Sequence, residues 1–326
     1  MPLMLNETAV AGLLRMEDLV DLMERALADF SSGRALQPVR TALSIDRHRS
    51  LLAVMPGYLP NSEALAVKIV SLAPENAARG IPTHLATILL HDPMTGALLA
   101  LMDGRLITEM RTAAVSAAAA RALARTGATT LAMIGAGVQA KSHLEALRLV
   151  RNITRVRVWS PNAARREAFA REEATRWGLP VVACDTAEEA VRGADLVVTA
   201  TSSHEAVVRG EWLAPGAHVT AVGACRADWR ELDAEAVRRA TVYVDSRAAA
   251  RVEAGDVLRA IAEGAIGEDH VRGEIGELFE RRISGRTSDT EITLFKSLGL
   301  AVEDAATAQH VWRLAQARGV GTAFEL

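Results

Sequence analysis

The stretch TTLAMIGAGVQAKSHLEALRLV, residues 129–150, decides the fold. Thr129 to Ile134 make a short apolar run with a β-branched start, the composition of a buried strand. Gly135, Gly137 and Ala140 follow in the spacing G-x-G-x-x-A. Ala140, Leu144, Leu147 and Val150 then recur at a helical period. Strand, glycine turn and helix in that order are the setting a dinucleotide fingerprint requires. Gly135 permits the tight turn, Gly137 lets a pyrophosphate approach the backbone, and Ala140 allows the helix to sit close on the strand. The helix start at Val138 and Gln139 offers unpaired N–H groups and the positive end of a dipole to phosphates. The competing reading is a tight turn with no ligand.

Downstream the chain alternates. Arg155 to Trp159, Val181 to Cys184, Leu196 to Ala200, His218 to Val222 and Val242 to Val244 read as strands, the last of these closing the series. Helices are read at Ala163 to Trp177, at Glu188 to Val191 as part of a short one, and ending at Val237 to Ala240. Near-continuous apolar strands alternating with helices predict a Rossmann-type, doubly wound parallel sheet covered on both faces. From about Thr293 the tail LFKSLGLAVEDAATAQHVWRLAQARG reads as a return to helical period, expected to lean back on the first part of the chain.

Upstream the pattern differs. Pro2 to Leu5 is a strand candidate, and Glu17 to Phe30 an amphipathic helix stopped at Gly33. TALSI, SLLAVMPGYL, ALAVKIVSL, THLATILLHD and ALLALMD are short runs separated by turn residues, as in an antiparallel sheet. Residues 106–125 form a long alanine-rich helix. The expected organisation is α/β: residues 113–298 as the dinucleotide-binding domain, and residues 1–112 with 299–326 as a discontinuous α+β domain.

The 326 residues are 50% hydrophobic and 24% charged, with a formal net charge of -3, so no basic field favours nucleic acid or an anionic membrane. Aromatic residues are only 4%, too few for a base-stacking platform. No apolar run is long enough to span a bilayer, and MPLMLNETAV lacks the features of a signal peptide. Cys184 and Cys225 form no metal-type spacing; no metal site is expected, and a reduced, cytoplasmic setting is.

An NAD-binding fold of this type places an acidic residue at the end of the second strand. Here that place reads VWSPNAARR, without Asp or Glu. Ser160 and Asn162 can hydrogen-bond the ribose, and Arg165 and Arg166 can meet a 2′-phosphate, so NADP(H) is favoured over NAD(H). Thr201 and Ser202, after the strand Leu196 to Ala200, and Val222 with Gly223, after the next, lie at the carboxyl edge where cofactors bind.

The segments MDGRLITEMRTAAVSAAAARALA, IGAGVQA, AVGACRADWRELD and TLFKSLGLAVEDAA, in that order along nearly the whole chain, resemble the ornithine cyclodeaminase and mu-crystallin family. GACRADWRELD is most similar to the mu-crystallin branch, whose members reduce cyclic ketimines with NAD(P)H. The resemblance implies a homodimer joined through the non-Rossmann domain, with an imino or amino acid bound between domains. It also implies that three cations hold the substrate carboxylate: Arg40 in QPVRTAL, Lys68 in AVKIV and Arg111 in EMRTAA. Lys68 interrupts an apolar strand run and Arg111 lies near a helix N-terminus, both poor places for a cation on stability grounds alone. Lys296 and Ser297, in LFKSLG, resemble a family loop that covers the nicotinamide. The sequence departs from the cyclodeaminases at Cys225, which stands where they carry an Asp for proton transfer. Asp228 is expected to order its loop and Asp233 to cap the next helix.

The reaction expected from this is hydride transfer from nicotinamide to C2 of a pyrroline- or piperideine-2-carboxylate. Lys68 and Arg111 are the expected catalytic cations, with His84 in IPTHLA as a candidate proton donor. Ornithine cyclodeamination, amino-acid dehydrogenation, and non-enzymatic binding of cofactor and ligand remain as alternatives. No nucleic-acid or membrane partner is expected.

Overall fold

The computed structural model describes residues 1–325. The chain divides into two compact units, Met1–Arg111 with Gly299–Leu326, and Thr112–Leu298. Elements are numbered along the chain.

The first unit contains β1 (Leu3–Leu5), α1 (Glu7–Leu13), α2 (Met16–Ser31), β2 (Thr41–Ile45), β3 (Ser50–Leu59), β4 (Ala64–Leu72), β5 (His84–His91) and β6 (Leu98–Asp103). It continues into the opening turns of α3 (Arg105–Leu123), and ends with α11 (Ala301–Arg318) and β15 (Thr322–Ala323). Its sheet runs β15-β1-β6-β5-β4-β3-β2, antiparallel except for the β1–β6 pair. Helix α11 packs on β3 and β4. Strand alternation therefore gives an inner face, with Ala53, Met55, Ala66, Val70 and Ile88 buried, and an outer face on which Leu43, Leu52, Val54, Ile69 and Leu85 are exposed. Lys68 sits on the inner face, in register with Met55 on one side and Ile88 on the other.

The second unit contains β7 (Thr130–Ile134), α4 (Val138–Val150), β8 (Arg155–Trp159), α5 (Ala163–Trp177), β9 (Val181–Ala183), α6 (Ala187–Val191), β10 (Leu196–Thr199) and β11 (His218–Ala221). It continues with α7 (Ala234–Arg239), β12 (Ala240–Val244), α8 (Arg247–Glu253), α9 (Gly255–Ala262), β13 (Val271–Glu274), α10 (Ile275–Phe279) and β14 (Ile292–Lys296). The eight strands are all parallel, in the order β13-β12-β14-β11-β10-β7-β8-β9. Both faces are covered: Ala132 and Ile134 of β7 enter one apolar core, and Leu131 and Met133 the other. Two buried faces are why these strands read as continuous apolar runs. This is the doubly wound α/β architecture expected from residues 129–150.

Three local expectations are corrected. The tail from Thr293 does not begin as a helix: residues 292–296 are strand β14, paired between β11 and β12, and helix α11 starts only at Ala301. The β-branched, apolar run ITLF suits a doubly buried strand, and Gly299 at φ 82° separates it from the helix. For the same reason Val242–Val244 does not close the strand series, since β13 and β14 follow. Helix α1 was not expected, although Asn6 caps it by accepting from the Ala9 amide at 2.9 Å.

Candidate functional site

In the second unit, the chain moves outward from β7 to β8 and β9, then returns to β10 on the other side of β7. The carboxyl ends of β7 and β10 thus form the topological switch point at which α/β sheets bind ligands. Gly135 ends β7 at φ 114°, and a Cβ there would stand 2.4 Å from the Ala200 carbonyl oxygen, so only glycine fits this close passage. Gly137 is different: a Cβ would meet nothing within 4 Å. Packing does not demand glycine at that position, whereas the approach of a ligand to the backbone would. Gly137, Val138 and Gln139 open helix α4, whose N-cap receives no side-chain hydrogen bond. The turn has the room and the exposed amides that a diphosphate requires.

The other candidate cofactor residues lie along the same edge. Ser160 and Asn162 follow β8, Thr201 and Ser202 follow β10, Val222 and Gly223 follow β11, Lys296 ends β14 and Ser297 follows it. The Asn162 side chain caps α5 by accepting from the Arg165 amide at 3.0 Å, and Ser160 Oγ donates to the Asn162 carbonyl at 3.1 Å. Arg166 pairs with Asp185 at 2.8 Å, while Arg165 is exposed. Lys296 is not part of a covering loop. It is the last residue of β14, fully buried, and its Nζ lies 3.0 Å from Asp256. Burial works against its charge, and Asp256, Cys225 and Glu231 outweigh that and raise its pKa.

Glu231 was missed by sequence reasoning. Its buried carboxylate accepts from the Thr201 amide at 2.6 Å, the Gly223 amide at 2.7 Å and Thr199 Oγ1 at 2.8 Å. It thereby ties the loops after β10 and β11 together. Asp256 in turn accepts from the Glu231 and Leu232 amides at 2.7 and 2.9 Å. Cys225 is partly buried, its thiol donating to the Val222 carbonyl at 3.3 Å. Asp228 pairs with Arg226 at 3.2 Å, and Asp233 caps α7 by accepting from the Ala236 amide at 2.8 Å.

The first unit brings Arg40, Lys68 and Arg111 together. Lys68 is 2% exposed; its Nζ lies 2.5 Å from Asp304 Oδ2 and 3.5 Å from Thr108 Oγ1. Arg111 is also buried, with Nε donating to Asp304 Oδ1 at 3.0 Å and Nη1 to Glu303 Oε2 at 2.5 Å. Arg40 donates to the Gly299 carbonyl at 3.1 Å, and a Cβ on Gly299 would come within 2.8 Å of Arg111 Nη1. Glu303 and Asp304 come from the first turn of α11, where Gln37 accepts the Val302 amide at 2.9 Å. Both acids are buried. They too were missed; the available signal was an acidic pair set inside the otherwise apolar run LGLAVEDAA.

Burial lowers the Lys68 ammonium to about 8, against the attraction of Asp304 and with the repulsion of Arg111 and Arg40. It therefore remains a cation at neutral pH. Burial would raise the Asp304 carboxyl, but Arg111 and Lys68 overcome this and hold it below the ordinary carboxylate range. His84 faces the same cluster from β5. Burial, then Lys68 and Arg111, push its imidazole down to about 4, so it is neutral at pH 7. Among the described residues, no group of three or more His, Cys, Asp or Glu side chains is arranged to hold a metal, and no helix is long and apolar enough to cross a membrane.

A parallel sheet with a glycine turn at its switch point in the second unit, and a buried cluster of cations in the first, are the marks of a nucleotide-dependent enzyme class. The chain belongs to the ornithine cyclodeaminase/mu-crystallin family, whose profile it matches over residues 1–318. It is 42% identical over 315 residues to the ketimine reductase mu-crystallin of Mus musculus, an alignment covering 95% of this chain and 96% of the mouse protein. Among solved structures, it superposes with a TM-score of 0.97 on the Thermococcus litoralis Delta(1)-pyrroline-2-carboxylate reductase in complex with NADH and L-proline. That pair shares 42% identity over 99% of this chain and 100% of the other. An archaeal alanine dehydrogenase dimer with bound NAD gives a TM-score of 0.94 at 34% identity, covering 99% of each chain.

Proposed function

We propose that this protein is an oxidoreductase that reduces the C=N bond of cyclic ketimines, of the pyrroline-2-carboxylate or piperideine-2-carboxylate type, with hydride from NADH or NADPH. Relatives at 42% identity over nearly the whole chain carry out this class of reaction, and the observation that carries the reading is the buried cluster of Lys68, on the inner face of the first unit's sheet, and Arg111, on α3. Asp304 and Glu303 offset two of the three cations, and the one positive charge left over in this buried cluster is suited to an anionic substrate group.

The nicotinamide cofactor supplies the hydride when bound. Gly135, Gly137, Val138 and Gln139 would hold its diphosphate, Ser160, Asn162 and Arg165 its adenosine ribose, and Thr201, Ser202, Val222 and Gly223 would line the nicotinamide side. Lys296 and Ser297 would support that edge from β14. We assign a preference for NADPH, because no carboxylate follows β8 and Arg165 is exposed there. Arg40, Lys68 and Arg111 would fix the substrate carboxylate. Hydride adds to C2, the C=N π pair moves to nitrogen, and a protonated imine becomes a neutral secondary amine. A neutral imine needs one further proton. Lys68 carries a proton at neutral pH and His84 does not, so the ammonium is the better source. With the imine preformed, orientation supplies much of the rate.

The protein is further proposed to act as a homodimer through the exposed apolar outer face of the first unit's sheet, in the reducing cytoplasm. Cys225, in place of a proton-handling Asp, speaks against cyclodeamination. The test is a spectrophotometric panel of NADPH or NADH oxidation with cyclic imines, beside NAD(P) reduction with free amino acids and ammonia release from ornithine. Imine-dependent oxidation that exceeds every other reaction is expected. Ornithine turnover without net reduced cofactor would replace this reading with a cyclodeaminase.

A further inference from the structure

The inner-face cluster of the first unit holds two carboxylates that the reaction above does not use. Arg40, Lys68 and Arg111 bring three positive charges; Glu303 and Asp304 bring two negative ones. The sum is a single positive charge, which one substrate carboxylate would neutralise. Asp304 is bidentate in effect: Oδ2 is on the Lys68 ammonium and Oδ1 on the Arg111 guanidinium. Lys68 has three ammonium hydrogens, of which Asp304 and Thr108 take two. Buried acids on a helix facing a sheet are expensive, and apolar side chains would pack there without that cost. Their presence calls for a reason other than stability.

We infer that Asp304 is a positioning residue: its carboxylate holds the Lys68 ammonium and the Arg111 guanidinium side by side, keeps Lys68 charged, and leaves the cluster with one positive charge in excess for a monocarboxylate substrate to neutralise. The groups facing Lys68 are Asp304 from α11, Arg111 and Thr108 from α3, Arg40 from the segment before β2, and His84 from β5. Asp304 is the anion in direct contact with Lys68. Without it, burial and two guanidinium groups act together against the ammonium. A neutral Lys68 would neither attract a carboxylate nor carry a proton. The inference rests on the proposed function only in assigning a use to the charged Lys68; the state of that side chain is measurable by itself.

The chain contains three lysines, Lys68, Lys141 and Lys296, so lysine labelled with carbon-13 at Cε gives few NMR signals. The Lys68 signal is the one absent from Lys68→Arg. In wild-type protein it should titrate near pH 8. In Asp304→Asn, or in Asp304→Ser should the first variant not fold, its midpoint should fall by about one pH unit or more, since an adjacent opposite charge shifts a pKa by about 1–3 units. Asp304→Glu should recover most of that shift. In the reductase assay, the basic limb of kcat/KM should move to lower pH in step with the NMR midpoint. A folded neutral variant with an unchanged Lys68 midpoint would overturn the inference, whatever the activity. Failure of wild-type protein to reduce any imine would instead overturn the proposed function, and the NMR result would still decide the role of Asp304.

Discussion

Glu231 accepts the backbone amide of Gly223 at 2.7 Å while its other oxygen accepts that of Thr201, so one buried carboxylate sets the spacing of two loops at the carboxyl edge of the parallel sheet. Both loops belong to the proposed nicotinamide side. Glu231→Gln places an amide NH2 where an acceptor is required, leaving a buried N–H without a partner. The expected cost is about 2–3 kcal/mol of stability, seen as a fall in melting temperature of about 5–10 °C. The KM for reduced cofactor should rise more than the KM for imine. A variant with wild-type melting and cofactor KM would remove Glu231 from this role.

Arg111 offers a second test. Lysine keeps the charge but not the planar fork that engages Glu303 and Asp304 from two nitrogens. Arg111→Lys should lose about 1.5–3 kcal/mol of substrate binding, a KM increase of roughly 10–100-fold, with little change in NADPH affinity by fluorescence titration. Arg111→Ala should abolish turnover and also destabilise the fold, because Glu303 is left buried beside an empty site. Unchanged imine KM in Arg111→Lys would show that the guanidinium does not meet the substrate.

How far these features can be read from the chain depends on the range of the interactions that make them. The strand Arg155–Trp159 and helix Ala163–Trp177 fall where periodicity and the Asn162 cap put them, because local signals suffice. Strand β14 does not, since a five-residue apolar run next to a helix has no period of its own and acquires its identity from β11 and β12. Lys68 is visible as a charge breaking an apolar alternation. Glu303 and Asp304 look like ordinary first-turn acids that favour a helix dipole; their burial follows from packing α11 on strands more than 200 positions earlier. Glu231 is hidden in the same way, its partners lying on two separate loops.

Cofactor preference should turn on Arg165. It is exposed at the start of α5, whereas Arg166 is engaged with Asp185. Arg165→Ala should lower kcat/KM for NADPH about tenfold, about 1.4 kcal/mol, and leave that for NADH within about twofold. Ser160→Asp, which restores an acid after β8, should favour NADH further. Equal losses with both cofactors in Arg165→Ala would show that this guanidinium does not read the 2′-phosphate.

Acid should destabilise the protein through its buried imidazoles. Burial depresses His84 and His143 to about 4 and His218 to about 3, below the ordinary value of 6.5. Between about pH 4 and 6.5 the unfolded chain binds these protons and the folded chain does not. Stability is then fully present above 6.5 and falls as pH drops, by up to about 1.4 kcal/mol per pH unit for each histidine. Melting temperature should decline steeply from pH 6.5 to 4.5, and His218→Gln should flatten the slope. A melting temperature independent of pH in that window would contradict the neutral state of these side chains.

The outer face of the first unit's sheet carries the prediction about assembly. Val54 and Ile69 are direct cross-strand partners on β3 and β4, and both are more than a third exposed, as are Leu43 and Leu52, paired between β2 and β3. A contiguous apolar sheet face of this kind costs free energy in water at about 25 cal/mol per Å² and is relieved by a matching surface. A second copy of the same face satisfies it with two-fold symmetry. Val54→Glu with Ile69→Glu sets two like charges directly opposite each other on that face, and four across a dimer. Sedimentation should show a dimer for the wild-type chain and a monomer for the double variant, with the melting temperature of the monomer lower and dependent on neither copy's concentration. A wild-type chain that sediments as a monomer at micromolar concentration would leave this face without the proposed partner.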